Sequence, residues 1–148
     1  SVPFGDDGRV PWCKACHKPF FDIFPVVAIT MVVNEAEEVA LLKPKYMSEK
    51  YYNFVSGYVQ PGEQAEVCAA REVQEEIGIT TDSLQFVCSQ WESEQQMLLL
   101  GFIARANKAA FALSEEINDA VWAPVEQALT MVYPEGNITH TLLAKYLQ

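Results

Sequence analysis

From residue 25 onwards, apolar runs alternate with short polar turns, and this pattern predicts the regular elements of one folded domain. The β-branched run PVVAITMVV (25–33) is typical of a strand buried on both faces. Further strands are predicted at 39–43, 51–59, 84–91, 97–106 and 120–124. Helices are predicted at 64–77, with Gly78 as a left-handed cap, and after the capping residue Asn137, with a helical turn at 125–129. Mixed strands with one central and one terminal helix indicate an α/β sandwich rather than a doubly wound sheet.

The first 24 residues break this pattern. They contain prolines and glycines at short intervals together with the pair Cys13 and Cys16, so residues 1–24 are predicted to form an irregular arm or small knuckle before a domain at 25–148. The chain begins with Ser1 rather than Met and lacks the basic and apolar regions of a secretory signal. We therefore expect a trimmed start and a cytoplasmic location, with the cysteines reduced.

Composition and charge narrow the range of functions. The chain has 148 residues, 50% of them apolar, which fits one domain with a packed core. Ten basic against twenty acidic residues give a net charge of −10, which repels a nucleic-acid backbone, so nucleic acid is not an expected partner. An acidic protein can still handle phosphates when metal ions lie between the two sets of negative charge. No apolar run reaches the ~18 residues of a membrane-spanning helix, so no membrane partner is expected.

The predicted helix 64–77 concentrates acidic side chains on one side. Glu72, Glu75 and Glu76 stand at positions i, i+3 and i+4, so their carboxylates project from the same face. The opposite, apolar stripe is formed by Val67, Ala70, Val73 and Ile77. Three like charges repel one another, and most acidic helix faces are simply solvated. A hard cation such as Mg²⁺ or Mn²⁺ reverses this balance because it prefers several negatively charged oxygen ligands.

The spacing around these carboxylates resembles the signature of a known family. Residues 57–79 read GYVQPGEQAEVCAAREVQEEIGI. They match every fixed position of the Nudix signature GX5EX7REUXEEXGU, in which U is aliphatic: Gly57, Glu63, Arg71, Glu72, Val73, Glu75, Glu76, Gly78 and Ile79. Agreement at this many positions in a strand–loop–helix context is highly specific. The resemblance implies a Nudix-type α/β/α sandwich with a mixed β-sheet.

The resemblance also implies a metal site and a reaction. Glu72, Glu75 and Glu76 resemble the metal-binding carboxylates of the family, and Gly57 can add its backbone carbonyl. Either Glu75 or Glu76 would accept a proton from the attacking water, and the sequence leaves that choice open. The implied reaction is hydrolysis of a diphosphate linkage, in which metal ions neutralise charge and activate the water that attacks one phosphorus in line.

Three further residues have roles implied by the same resemblance. Arg71 and Glu63 resemble the pair that fixes the loop to the helix, and an arginine can hold a carboxylate through two parallel hydrogen bonds. The segment EINDAVW (116–122) resembles a downstream segment that carries another metal ligand in some members of the family. Glu116 is therefore the expected fourth carboxylate ligand, with Glu115 as the alternative.

Similarity outside the signature extends over nearly the whole chain and points to the NADH pyrophosphatase branch. It rests on the CKAC motif (13–16), the FPVVAITMVV strand, the FVSGYVQPGE segment and the terminal helix. In that branch an SQPWPFP array helps to recognise the dinucleotide. Here Ser89 and Gln90 are followed by WESEQ, which leaves Gln90 as a candidate substrate contact. The expected substrates are an NADH-like dinucleotide, ADP-ribose or another nucleoside diphosphate derivative.

Zinc is a second metal to consider. The resembled branch carries a zinc ribbon with two Cys-x-x-Cys pairs, of which this chain has only Cys13 and Cys16. A closed structural zinc site needs four ligands, and Cys68 and Cys88 are more typical of core positions. Zinc binding is therefore not expected without a second pair of ligands.

Aromatic residues near the signature and two apolar runs suggest how partners bind. Tyr46, Tyr51 and Phe54 are candidates for stacking on a base or ring, although aromatic residues at strand positions are more often part of the core. The runs 25–33 and 97–104 are candidates for a homodimer interface, since members of the resembled branch are often dimeric.

Three other functions remain open at this point. A catalytically silent nucleotide-binding or sensor module usually lacks one of the signature carboxylates, and none is missing here. Isoprenyl diphosphate isomerisation needs additional acid–base residues, for which Cys88 is a conceivable candidate. Removal of a cap-like nucleotide from the 5′ end of RNA uses the same bond chemistry, but the charge of −10 opposes tight RNA binding.

Overall fold

The β-branched strand predicted from the sequence lies at the centre of the main sheet. The computed structural model describes residues 2–4, 10–47 and 50–148. In chain order its elements are β1 (Val2–Phe4), β2 (Val10–Cys13), β3 (Lys18–Pro19), β4 (Val26–Val33), β5 (Glu38–Pro44), β6 (Val55–Tyr58), α1 (Ala65–Ile77), β7 (Ser83–Glu92), β8 (Met97–Arg105), β9 (Ile117–Pro124), α2 (Val125–Ala128) and α3 (Ile138–Tyr146). Each strand and helix predicted from residue 25 onwards is therefore present, with bounds shifted by a few residues.

The main sheet is mixed, as the sequence predicted. Its strand order is β7-β8-β4-β5-β9, and β6 pairs with β4 beside this path. Strand β4 runs parallel to β8 over its whole length and antiparallel to β6. The parallel pair forms at the centre, where both strands are buried and apolar.

Alternate side chains of β4 enter two separate cores. Val32 packs in a cluster with Val73 and Ile77 of α1 on one face of the sheet. Met31 and Val33 pack in a larger cluster on the other face, which includes Leu142 and Leu143 of α3. The alternation follows from the two-residue period of a strand. With α1 on one face and α2 and α3 on the other, the α/β/α sandwich is confirmed.

Within the segment for which an irregular arm or small knuckle is predicted, β1, β2 and β3 pair as a small antiparallel sheet. One expectation changes with the structure. The apolar runs 25–33 and 97–104 form the two central strands of the main sheet, and most of their side chains are buried by the helices. Their assignment to a dimer interface was wrong, because their apolar character is explained by the core.

No helix in the described part of the chain is long and apolar enough to cross a membrane. The longest of them, α1, has 13 residues and carries the acidic cluster.

Gly78 ends helix α1 in the left-handed conformation, with a φ of 70°. A Cβ atom at this position would lie 2.7 Å from the Cβ of Ala112. Gly62, with a φ of 81°, has an equally left-handed backbone but no atom near the position of a Cβ. The two glycines therefore separate backbone strain from steric overlap.

We expect Gly78→Ala to lower the free energy of unfolding by about 2–4 kcal/mol, since left-handed strain and overlap add. Gly62→Ala, the matched control, should lose only about 1–2 kcal/mol from strain. Urea unfolding of the two variants measures the difference. Equal losses would show that the contact with Ala112 relaxes without cost.

Candidate active site

Helix α1 presents its acidic side chains next to the loop that precedes it. The helix buries Cys68, Ala69, Val73 and Ile77, and with them the carboxylate-bearing Glu76. Val67, which was expected in the apolar stripe, is 53% exposed. The buried stripe is therefore rotated relative to the one predicted. The rotation brings Glu76 towards the protein interior and leaves Glu75 exposed.

Arg71 and Glu63 join the helix to the loop through a bidentate ion pair. The Nε atom of Arg71 donates to Oε2 of Glu63 at 2.7 Å, and Nη2 donates to Oε1 at 3.0 Å. The backbone amide of Gln60 also donates to Glu63, at 3.1 Å. These donors, Arg71 first, lower the pKa of Glu63 to about 2. The loop is thus fixed to the helix by a carboxylate that stays ionised at neutral pH.

The same guanidinium reaches two more carboxylates. Nη1 of Arg71 lies 2.9 Å from Glu72 and 3.1 Å from Glu75. Nη2 also lies 3.4 Å from the carbonyl oxygen of Tyr58 at the end of β6. One positive charge therefore lies against three negative ones, and most of the negative charge of the cluster is left uncompensated.

Strand β6 passes so close to the helix that Gly57 cannot be replaced without a shift. A Cβ atom at Gly57 would overlap the side chain of Glu72. Gly57 has an ordinary strand backbone, so close approach is the reason for a glycine here. The lack of a side chain at Gly57 therefore leaves space for the carboxylate of Glu72.

Glu76 is the buried member of the cluster, with 5% of its surface exposed. Its Oε2 accepts a hydrogen bond from the amide of Ser56 at 3.2 Å. Burial, followed by the negative charges of Glu72, Glu116 and Glu75, raises the pKa of Glu76 to about 8. Burial also raises the pKa of Glu72, although Arg71 opposes the shift. Both shifts arise first from burial, and the charges of neighbouring carboxylates add to them.

These side chains line a cleft of about 340 Å³ between α1 and the segment before β9. The lining residues are Glu72, Glu75, Glu76, Ser114, Glu115 and Glu116. The amide of Ser114 donates to the carbonyl of Glu76 at 3.0 Å. The amide of Lys45 donates to the carbonyl of Glu116 at 2.8 Å. These backbone bonds bring the expected fourth carboxylate, Glu116, and its alternative, Glu115, to the same cleft as the signature residues.

Ser114 is a cleft residue that the sequence analysis missed. Its hydroxyl oxygen is buried and has no hydrogen-bond partner within the described residues. The only signal in the sequence is its position directly before the acidic pair Glu115 and Glu116, which by itself predicts nothing about the hydroxyl.

The donor set of the cleft suits a hard divalent cation. Five carboxylates and one hydroxyl supply oxygen atoms only, which Mg²⁺ and Mn²⁺ prefer. Within the described residues, however, no three acidic, histidine or cysteine side chains yet converge at metal-ligand spacing. Arg71 holds Glu72 and Glu75, and the amide of Ser56 holds Glu76. A cation would therefore draw these carboxylates out of their present hydrogen bonds.

The predicted substrate contacts lie in different surroundings. Phe54 has no exposed surface and packs in the core beside α3, so its assignment to ring stacking was wrong. Tyr51 is half-buried against Tyr133, with ring centroids 5.3 Å apart. The hydroxyl groups of Tyr46 and Ser56 lie 3.2 Å apart. The side-chain amide of Gln90 donates to the carbonyl of Gly136 at 3.0 Å.

The cysteines do not form a four-thiol site. Cys13 and Cys16 lie in the turn between β2 and β3, which is closed by a hydrogen bond from the amide of His17 to the carbonyl of Cys13 at 3.0 Å. Cys68 is buried on α1, and Cys88 lies on β7. All four thiols are free, and the pair in the turn has no second pair beside it.

Glu76→Gln should stabilise the metal-free chain at high pH. The pKa of Glu76 rises from an unfolded value of about 4.3 to about 8 in the fold. The folded chain thus binds the extra proton, and stability falls as pH rises through this window. Glutamine keeps an oxygen acceptor for the amide of Ser56 without the charge. We expect the variant to match the wild type at pH 4 and to exceed it by at least about 1 kcal/mol at pH 8.

Urea unfolding at pH 4, 6 and 8 with a chelator present tests this expectation. Glu66→Gln, in the exposed first turn of the same helix, is the matched control and should keep the wild-type profile. Parallel profiles for the wild type and Glu76→Gln would contradict the burial of an ionisable Glu76.

The sequence matches one family model and several curated relatives. The family model described as NUDIX domain matches residues 23–142. The protein named NAD-capped RNA hydrolase NudC from Stutzerimonas stutzeri strain A1501 is 32% identical over 143 residues, covering 94% of this chain and 50% of the relative. The protein of the same name from Mycobacterium tuberculosis strain H37Rv is 34% identical over 108 residues, covering 72% of this chain and 34% of the relative. The chain thus spans about half the length, or less, of these curated relatives.

Solved structures share the fold at low sequence identity. The NUDIX hydrolase from Nitrosomonas europaea superposes with a TM-score of 0.69 at 18% identity, covering 99% of this chain and 83% of that one. The MutT protein from Methanosarcina mazei Go1 superposes with a TM-score of 0.67 at 22% identity, covering 87% and 99%.

The curated relatives belong to the NADH pyrophosphatase branch, which agrees with the resemblance seen in the sequence. The signature residues meet around one cleft, the fold is shared, and the family model covers 23–142. The chain therefore belongs to the Nudix family.

Proposed function

We propose that this chain is a metal-dependent Nudix hydrolase that cleaves the diphosphate linkage of a nucleoside diphosphate derivative. The observation that carries the proposal is the gathering of the signature carboxylates and Glu116 around one cleft. The raised pKa values of Glu72 and Glu76 support it, because burial and the neighbouring carboxylates disfavour negative charges that a bound cation would stabilise. The curated relatives, named as hydrolases, support the same class of reaction.

The proposed cation is Mg²⁺ or Mn²⁺. Glu72, Glu75, Glu76 and Glu116 would hold it. The carbonyl of Gly57, a residue whose Cα packs against the side chain of Glu72, would add a further oxygen. When bound, such a cation neutralises the charge of the diphosphate and lowers the pKa of a coordinated water. Glu115 lines the same cleft and is the alternative to Glu116.

The protein's own residues would position the substrate water and take its proton. The water oxygen forms a bond to one phosphorus, the bond from that phosphorus to the bridging oxygen breaks, and the second phosphate leaves with the bridging oxygen. Glu75 or Glu76 accepts the proton of the water. Both carboxylates line the cleft, but Glu75 is exposed and Glu76 is buried, so they differ in their access to solvent. The pair of Arg71 and Glu63 keeps the loop after β6 against the helix. Arg71 also contacts the carbonyl of Tyr58 at the end of β6.

The proposed substrates are an NADH-like dinucleotide, ADP-ribose or a similar compound. The curated relatives are named for NAD-capped RNA, whose cap contains the same diphosphate linkage. The charge of −10 favours a small molecule over a long RNA for this chain. Gln90 and Tyr51 are proposed substrate contacts; of these, Gln90 must exchange its bond to Gly136 to reach a ligand.

Other properties are also proposals. We propose a cytoplasmic location and a homodimer for this Nudix hydrolase. Any dimer must use a surface other than the two buried central strands. Zinc binding at Cys13 and Cys16 requires two ligands from outside the four cysteines of this chain. The alternative function is a catalytically silent nucleotide-binding or sensor module.

We expect metal-dependent cleavage of at least one compound from a panel of NADH, NAD⁺, ADP-ribose, diadenosine polyphosphates, nucleotide sugars and NAD-capped RNA. Cleavage should require Mg²⁺ or Mn²⁺ and stop with a chelator. For the best substrate, Glu75→Gln and Glu76→Gln should each lower kcat about 100-fold or more, because ligand or base chemistry is lost. Phosphate-product release measures each rate.

Glu66→Gln is again the matched control, since it removes a carboxylate from α1 away from the cleft and should leave kcat unchanged. Thermal unfolding of each variant separates lost chemistry from lost structure. Wild-type kcat values for both Glu75→Gln and Glu76→Gln would contradict the assignment of these carboxylates to catalysis. Binding of a nucleotide and metal without turnover would favour the sensor module.

A further inference from the structure

Ser114 is a residue of the cleft to which the family signature assigns no role. It lies directly before the acidic pair Glu115 and Glu116, in the segment that leads into β9. Its amide donates to the carbonyl of Glu76 at 3.0 Å, and its own carbonyl accepts from Ile117 at 3.2 Å. The first bond holds the backbone of Ser114 against the last turn of α1, and the second closes a turn within the segment that leads into β9.

The hydroxyl of Ser114 is buried without a hydrogen-bond partner in the described part of the chain. Buried polar groups are nearly always paired in native proteins, because an unpaired group loses its hydration and gains nothing in return. A second hydroxyl, that of Thr30, shares this condition. Thr30 lies in the buried central strand β4 and does not line the cleft. Thr30 therefore serves as a control for a buried, unpaired hydroxyl that lies away from the cleft.

The carboxylates around Ser114 have their hydrogen bonds elsewhere in the metal-free chain. Glu72 and Glu75 accept from Arg71, and Glu76 accepts from the amide of Ser56. A cation in the cleft would change this arrangement, since a carboxylate that binds it through one oxygen leaves the second oxygen free to accept a hydrogen bond. Ligand carboxylates in metal sites are normally held by such a bond.

We propose that Ser114 is a positioning residue of the metal centre, whose hydroxyl donates a hydrogen bond to a carboxylate of the cleft when a divalent cation is bound. The inference rests on the proposed function. It explains why a residue that lines the cleft together with five carboxylates has a buried hydroxyl without a partner among the described residues. It also separates two roles along one segment: Glu116 supplies a ligand, and Ser114 orients one.

Mn²⁺ binding to the metal-free chain tests the proposal without relying on turnover. Titration followed by the electron paramagnetic resonance signal of free Mn²⁺ gives a Kd for the wild type, Ser114→Ala, Ser114→Thr and Thr30→Val. We expect Ser114→Ala to raise the Kd about tenfold, the lower end of the effect of removing a residue that orients a ligand. Ser114→Thr, which keeps the hydroxyl, should bind within about threefold of the wild type.

The stability of the metal-free variants distinguishes positioning from a structural role. Because both hydroxyls are unpaired, neither Ser114→Ala nor Thr30→Val should lower the thermal unfolding midpoint in chelator. Thr30→Val should also leave the Kd for Mn²⁺ unchanged. Ser114→Ala that binds Mn²⁺ as tightly as the wild type would overturn the proposal. A lower unfolding midpoint of Ser114→Ala in chelator would also overturn it, because the weaker binding would then follow from lost structure.

A reference variant separates this inference from the proposed function. Glu72→Gln should weaken Mn²⁺ binding more than Ser114→Ala, since it removes a proposed ligand. If Glu72→Gln binds normally, the metal centre itself is misplaced and both proposals fail. If Glu72→Gln is weakened and Ser114→Ala is not, only the role of Ser114 fails.

Discussion

The bidentate pair between Arg71 and Glu63 is the interaction on which the geometry of the site depends. It fixes the loop after β6 to helix α1, and the same guanidinium spans Glu72 and Glu75. Strand β6 can then pass so close to the helix that Gly57 leaves room only for the side chain of Glu72. The depressed pKa of Glu63 keeps this pair charged over the whole neutral range. A single arginine thus contacts the loop through Glu63, the end of β6 through the carbonyl of Tyr58, and two carboxylates of the helix.

The same arrangement leaves an excess of negative charge. Four glutamates of α1 and its loop face one arginine, and Glu116 approaches from the segment before β9. The protein bears this excess partly by burying Glu76, which then holds its proton more tightly than an exposed glutamate does. Such a site favours cation binding, because a cation reduces the repulsion between carboxylates that the fold holds close together.

Much of this site could be predicted from the sequence, because its parts are local. The spacing from Gly57 to Ile79 determines a strand end, a loop and a helix, and the left-handed cap at Gly78 follows from glycine's freedom. The parts that depend on tertiary packing could not be predicted. Whether Val67 or Glu76 faces the interior depends on how α1 sits against β6, and the buried state of Phe54 depends on the packing beside α3. The hydroxyl of Ser114 has no signal at all, because its position is set by backbone contacts with a helix 38 residues earlier in the chain.

The central claim is that a divalent cation takes the place of a proton in the cleft. The most direct test is calorimetric titration of Mg²⁺ into the chain at pH 7 in buffers of different ionisation enthalpy, which counts the protons released on binding. With the pKa of Glu76 at about 8, we expect Glu76 to release about one proton at pH 7 and little above about pH 9. Glu76→Gln should release clearly less, since only the smaller contribution of Glu72 is left. Binding of Mg²⁺ at pH 7 without proton release would contradict it.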